Sequence, residues 1–224
     1  MRPPSAVSAS RHHVFVTGGT GYLGRPLIGQ LLAHGHHVKA LVRPGSERKL
    51  PPGAAPVLGD ALSAATFAPS VAPADTLVHL VGVPRPSPAK AQAFRTVDLP
   101  SIKASISAAR QAGVRHLVYV SVAHPAPIMQ AYIAVRREGE DLVRASGLNA
   151  TILRPWYVLG PGHWWPYALI PFYALCERLR WTRAGARRLG LVTLAQMVAA
   201  LVRAVEQPAG GLRIVEVPEI RAAH

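Results

Sequence analysis

The sequence predicts a doubly wound α/β fold, a mostly parallel sheet covered by helices on both faces. Three observations carry that expectation. Short β-branched runs alternate with longer segments of helical period from Val14 onward. The runs VFVT, LVHLV and LVYVSV are almost wholly apolar, as strands buried on both faces require. A glycine-rich turn joins the first run to the first helical segment.

The predicted strands are Val14–Thr17, His37–Val42, Ala55–Leu58, Thr76–Val81, His116–Ser121, Ala150–Leu153 and Leu212–Val217. After the first of these, Leu23, Leu27, Ile28, Leu31 and Leu32 share one helix face, and Gly35 stands where a C-terminal cap belongs. Ile102, Ile106 and Ala109 form a second stripe that stops at Gly113. Leu191, Leu194, Met197, Val198, Leu201, Val202 and Val205 form a third, leading into the last strand. After Pro155 the alternation breaks, and aromatics and prolines gather in WYVLGPGHWWPYALIPFYAL.

A chain of 224 residues suits one domain. The expectation is a short disordered lead-in over residues 1–12, then a single domain over 13–224, with 156–190 as a lid or substrate-side segment. Half the residues are apolar and only 16% are charged, so a sizeable core is available and disorder is disfavoured. The 25 Lys and Arg, 21 of them Arg, exceed the 11 acids and give a net charge of +14. That excess suits a phosphorylated ligand, an anionic membrane or a nucleic acid; a compositional bias toward Arg, Ala and Pro would produce it equally. A single cysteine, Cys176, excludes a disulfide within the chain and any CxxC metal site. No run reaches the roughly 18 apolar residues of a membrane span, and Met1 to His13 lack the apolar core of a secretory signal. A cytoplasmic chain is expected.

The sharpest motif is Val14-Phe-Val-Thr-Gly-Gly-Thr-Gly-Tyr-Leu-Gly24. Gly18 allows a tight turn, Gly21 lets the backbone approach a pyrophosphate, and Gly24 lets the helix pack on the strand. Thr20, Tyr22 and Leu23 lie within this loop, and the following helix N-terminus offers free N–H groups to phosphates. Strand before, helix after and the βαβ rhythm supply the context that a lone glycine pattern lacks.

This spacing resembles the extended and atypical branches of the short-chain dehydrogenase/reductase superfamily, which carry TGGTGxLG. The resemblance continues through Gly59-Asp60-Ala61, similar to the family's adenine-contacting acid position. Val81-Gly82-Val83 is similar to the segment lining the nicotinamide ribose. Ser121 ends the fifth strand, where the family keeps its catalytic serine, and Tyr132-Ile-Ala-Val-Arg136 lies where YxxxK is expected. Ser146 to Pro155 matches the family's sixth strand, with Pro155 on the cofactor side. The likeness covers residues 14–160 well and the remainder loosely.

It implies nicotinamide dinucleotide binding. An NAD-preferring site puts an acid at the end of the second strand, whereas this strand ends on Arg43, with no acid until Glu47. A guanidinium can grip a 2′-phosphate, so NADP is expected ahead of NAD; a solvated strand-end arginine is the plain alternative. The resemblance also implies Tyr132 as general acid/base, Ser121 as the group orienting the substrate oxygen, and residue 136 as the cation beside the tyrosine. Tyr132 and Arg136 share a helix face at i, i+4, but arginine replaces the usual lysine, and Asp98 stands where the family has asparagine. Ser121 as a strand-end cap and Tyr132 as an ordinary half-buried aromatic remain open.

No histidine pair has metal-ligand spacing, so no metal site is expected. His79, within a buried strand, reads as a core histidine, and His124 as one within reach of substrate. The absence of GxSxG argues against a hydrolase. Residues 164–188 combine Trp and Tyr with Arg178, Arg180, Arg183, Arg187 and Arg188. A lid helix is the first reading, and weak peripheral contact with an anionic membrane the second. Nucleic acid is not expected, for want of a binding motif. Two functions follow, with a monomer or weak homodimer in either case. One is an NADP-dependent oxidoreductase of a small carbonyl or alcohol. The other is a non-catalytic dinucleotide-binding sensor or assembly module, resembling NmrA-like regulators and a respiratory complex I accessory subunit.

Overall fold

The computed structural model describes residues 11–161, Trp181, Gly185 and residues 188–223. In chain order, β1 (His13–Thr17) leads to α1 (Gly24–Ala33), β2 (His37–Val42) and β3 (Ala55–Leu58). A short α2 (Ala68–Val71) precedes β4 (Thr76–His79). Next, α3 (Ala91–Ala93) runs through a π turn into α4 (Leu99–Gln111). The chain continues with β5 (His116–Val120), α5 (Gln130–Ala145), β6 (Asn149–Arg154) and β7 (Tyr157–Leu159). It closes with β8 (Leu191–Thr193), α6 (Leu194–Glu206), β9 (Leu212–Glu216) and α7 (Val217–Arg221).

Seven strands form one sheet in the order β3-β2-β1-β4-β5-β6-β9, with every pairing parallel. The doubly wound α/β fold is thus present. Because β1 lies between β2 and β4, the crossovers leave it in opposite directions. They part at its carboxyl end and open a crevice there, where sheets of this kind hold ligands.

Alternation along each strand builds two cores. Val14 and Val16 join Leu27, Ile28 and Leu31 of α1 and Met197, Leu201 and Val205 of α6 on one face. Phe15 joins Leu77, Tyr119, Ile102 of α4 and Val135 and Val143 of α5 on the other. A strand flanked by two such cores has no solvent face to keep polar.

The sequence placed the ends of the fourth and fifth strands slightly too far along, since β4 ends at His79 and β5 at Val120. The stripe from Leu191 to Val205 divides, because Leu191 belongs to β8 and the helix begins only at Leu194. Thr193 sets that boundary: its hydroxyl accepts from Gln196 N–H at 3.1 Å, while Gln196 Oε1 accepts from Thr193 N–H at 2.9 Å. His12, grouped with the lead-in by sequence, is held in place, its backbone N–H donating to His36 Nδ1 at 3.2 Å. Among the described residues no helix is long and apolar enough to cross a membrane.

Candidate functional site

The loop between β1 and α1 is shaped by what its glycines omit. Gly18 sits at φ +76°, and a Cβ there would lie 2.8 Å from the Leu80 carbonyl carbon and 2.9 Å from its oxygen. A Cβ on Gly24 would strike the Gly18 carbonyl and the Gly19 backbone, so the helix start can rest on the turn only without one. Gly21 closes that turn, donating its N–H to Gly18 O at 3.0 Å, and is exposed. Apart from Gly18 O at 3.1 Å, nothing stands within 4 Å of where its Cβ would be. No side chain caps the N-terminus of α1. A bare backbone surface before uncapped helix amides is the cradle a pyrophosphate requires. Thr20, Tyr22 and Leu23 flank it half-buried, and Tyr22 packs so closely on Gly160 that a Cβ there would meet its hydroxyl.

At the carboxyl end of β2, Arg43, Arg48 and Lys49 are all exposed, and among the described residues Arg43 makes no ion pair or side-chain hydrogen bond. No acid stands at the strand end to repel a 2′-phosphate. Asp60 follows β3, where its Oδ1 accepts from Leu62 N–H at 2.9 Å, fixing the turn that carries Ala61.

Beyond β4, Gly82 and Val83 form one wall of a cleft of about 460 Å³, shared with Tyr22, Leu23, Tyr132 and Arg136, while the half-buried Val81 is not among its lining residues. The two departures from the family pattern meet here. Arg136 Nη2 lies 3.1 Å from Asp98 Oδ2, and both side chains are buried, at 7% and 1% exposure. Asp98 Oδ1 accepts from Val83 N–H at 2.8 Å, and Arg136 Nη1 donates to Val120 O at 2.9 Å. Burial pushes the Asp98 carboxyl above its ordinary range while the Arg136 charge pulls it back. Burial also opposes the charge on Arg136, but its two tyrosines and Asp98 outweigh it, so the guanidinium stays protonated. That guanidinium lies 5.1 Å from the Tyr132 ring centroid and 5.9 Å from that of Tyr119. Burial pushes the Tyr119 phenol up to about 12, leaving it a neutral packing group. Tyr132, half-buried, packs against Phe94 with centroids 4.9 Å apart and faces the cleft.

Ser121 is not brought to this pair. Its hydroxyl donates to Glu140 Oε1 at 2.7 Å, and the next residue, Val122, packs in the cluster that includes Tyr132. Side chains alternate at a strand end, so one position of register separates a hydroxyl in the cleft from one behind it. Glu140 also takes two hydrogen bonds from Arg154, whose Nη1 reaches Glu216 Oε1 at 2.8 Å. Burial would raise the Glu140 carboxyl, but the bonds from Arg154 and Ser121 outweigh it and hold it below its usual range. This network ties α5 to the ends of β6 and β9 and so fixes the helix that presents Tyr132. Sequence reading missed Glu140 altogether, which sits eight residues after Tyr132, about two turns further along the same helix. Pro155 is buried, and its carbonyl accepts from Ala123 N–H at 2.9 Å.

His79 is a core histidine. Its Nδ1 lies 2.9 Å from Ser105 Oγ and 3.1 Å from Thr17 Oγ1, and burial, aided by the Arg136 charge, lowers it to about 3. His124 Nε2 lies 3.5 Å from Glu140 Oε1, on the structural network. Among the described residues one trio could approach a cation: Glu206 Oε1 lies 2.8 Å from His34 Nδ1 and 3.3 Å from His36 Nε2. His36 Nδ1 already accepts the His12 N–H, which leaves the ring proton on Nε2, where a metal would need a lone pair. The trio is a hydrogen-bonded cluster. Of the 164–188 segment only Trp181, Gly185 and Arg188 are described; Trp181 is 96% exposed, and Arg188 Nε donates to Pro125 O at 3.1 Å. The lid and membrane readings of that segment otherwise lie outside the described residues, as does Cys176.

Residues 18–161 match the NAD(P)H-binding family. The chain is 32% identical over 155 residues to the ceramide reductase of Caulobacter vibrioides, covering 68% of this chain and 48% of that one. It is 28% identical over 222 residues to the 4-hydroxy-2-methyl-3-oxo-4-farnesyl-3,4-dihydroquinoline-1-oxide ketoreductase of Stigmatella aurantiaca, covering 88% of this chain and 65% of that one. The chain thus spans about half to two thirds of these relatives' length. In fold it is similar to a short-chain dehydrogenase/reductase superfamily protein of Agrobacterium tumefaciens with bound NAD. There the TM-score is 0.68 at 20% identity, covering 94% of this chain and 82% of that one.

Proposed function

The chain belongs to the NAD(P)H-binding family, and on that premise we propose an NADP-preferring oxidoreductase of a small carbonyl or alcohol. The single observation that carries this reading is the meeting of Tyr132 and a buried, charged Arg136 on the wall of the cleft that begins at the glycine loop. The reductase names of the two relatives support it.

In this reading Gly18, Thr20, Gly21, Tyr22, Leu23 and Gly24 hold the pyrophosphate, Asp60 and Ala61 border the adenine, and Arg43 holds the 2′-phosphate. Val81, Gly82, Val83 and Pro155 line the nicotinamide end. The bound dinucleotide supplies or accepts a hydride. Tyr132 gives its phenolic proton to the substrate oxygen in reduction and takes it back in oxidation. Arg136 places fixed positive charge beside the ring as the proton leaves, and Asp98 and Val120 O fix the guanidinium. In the present arrangement Ser121 donates its hydroxyl to Glu140, so the scheme rests on Tyr132 and Arg136.

That engagement favours one other reading, a dinucleotide-binding module without turnover. Titration calorimetry with NADPH and NADH, paired with absorbance assays on a carbonyl panel, separates the two. The enzyme reading expects Tyr132→Phe to lower kcat at least a hundredfold at unchanged NADPH affinity. NADPH consumption indifferent to Tyr132→Phe would remove Tyr132 from the mechanism. Failure to bind either dinucleotide at millimolar concentration would overturn both readings.

A further inference from the structure

The wall of the cleft continues past Val83 into Pro84-Arg85-Pro86. Arg85 stands at φ +49°, in the left-handed region that side-chain-bearing residues enter at a cost, and it precedes a proline, which favours extended backbone. Lys90 holds the turn, its Nζ donating to Pro84 O at 2.7 Å and Arg85 O at 3.0 Å. The Lys90 ammonium is thereby engaged on carbonyls. Among the described residues Arg85 itself makes no ion pair and no side-chain hydrogen bond, and it is exposed at the cleft.

Among the described residues the lining of the cleft contains no carboxylate, and its other cation, Arg136, is held in an ion pair with Asp98 behind Gly82. Among the described residues, Arg85 is thus a cation without a partner at the edge of a largely apolar cleft, on a backbone held in a costly conformation. Strain kept in place by a dedicated contact is a mark of a working position. Arg85 and Tyr132 line the same cleft, which Tyr22 and Leu23 of the glycine loop also border.

We propose that Arg85 selects the substrate: the cleft takes carbonyl compounds that carry a carboxylate, paired with this guanidinium while the carbonyl faces Tyr132. The inference rests on the oxidoreductase reading for the site, but its test reads binding. The full chain saturated with NADP+ is titrated by calorimetry with benzoylformate, 2-oxobutyrate and acetoacetate, and with the methyl ester of each. At least one acid should bind about tenfold or more tighter than its ester, as a charge-assisted pair provides. Arg85→Gln should erase that preference, Arg85→Lys should restore part of it, and NADPH affinity should be the same in all three proteins. Arg85→Gly should lose the preference and raise the melting temperature, because glycine takes φ +49° without strain.

Equal binding of acid and ester, no binding of either, or a preference that survives Arg85→Gln would each overturn the proposal. So would a loss of NADPH affinity in Arg85→Gln, which would assign the guanidinium to the cofactor's phosphates. A carboxylate preference without turnover would uphold Arg85 while the oxidoreductase reading fails.

Discussion

The two walls of the cleft are made differently. The wall at β1 and α1 is made by omission: Gly18, Gly21 and Gly24 leave backbone surfaces that any side chain would cover. The wall at β5 and α5 is made by pairing: Asp98, Arg136 and Val120 O hold one another in place, and Glu140 and Arg154 brace the same helix from behind. A wall of glycines fails when something is added. A wall of paired charges fails when something is taken away.

The largest effect should come from leaving one buried charge alone. Asp98→Ala strands Arg136 at 7% side-chain exposure, which should cost about 3–5 kcal/mol in urea unfolding. The double variant Asp98→Ala/Arg136→Met should recover most of that loss, and failure to recover would mean that the pair is not what holds this wall. The glycine wall responds to a single methyl group. Gly18→Ala should cost about 2 kcal/mol or more, from its φ of +76° and the Leu80 backbone 2.8 Å away, and should weaken NADPH binding in parallel.

Acid should act on the buried start of β5 before either wall. Burial lowers His116 to about 4, and the unfolded chain binds that proton near pH 6.5. The unfolded state thus holds more protons between these values, so the stabilisation is whole above pH 6.5 and is lost as pH falls toward 4. The slope is at most about 1.4 kcal/mol per pH unit for this histidine. His116→Gln should flatten that part of the profile of urea midpoint against pH, and an unchanged slope would count against the shift.

The smallest effect is a change of preference. Arg43→Asp should move the ratio of NADP to NAD dissociation constants about tenfold toward NAD, equivalent to about 1.4 kcal/mol. A ratio that stays put would free Arg43 of any part in choosing the cofactor.

The same contrast explains what could be read from sequence. Glycines act where they stand, so a turn, a strand and a helix within a dozen residues announced the first wall and the parallel sheet. Hydrophobic period placed the central strands because each is buried on both faces, although it merged β8 with α6, where only the Thr193–Gln196 capping box marks the break. The second wall depends on partners far apart in the chain. Asp98 and Arg136 looked like two separate departures from a family pattern, and only the crossing of α4 and α5 makes them one unit. Ser121 was a matter of register: one residue decides whether a hydroxyl enters the cleft, and the apolar run LVYVSV does not say which face each position takes.

A Cβ at position 82 would also meet the Arg136 guanidinium, so a side chain there would press it away from its bonds to Val120 O and Asp98. The two positions therefore form a ratchet in the history open to this chain. While arginine occupies 136, a side chain at 82 costs the guanidinium its place; a shorter cation at 136 would ease that cost. Once a side chain had settled at 82, a returning arginine would meet it and pair less well with Asp98. The order of substitutions, and not their number, decides which descendants of this sequence keep an intact second wall.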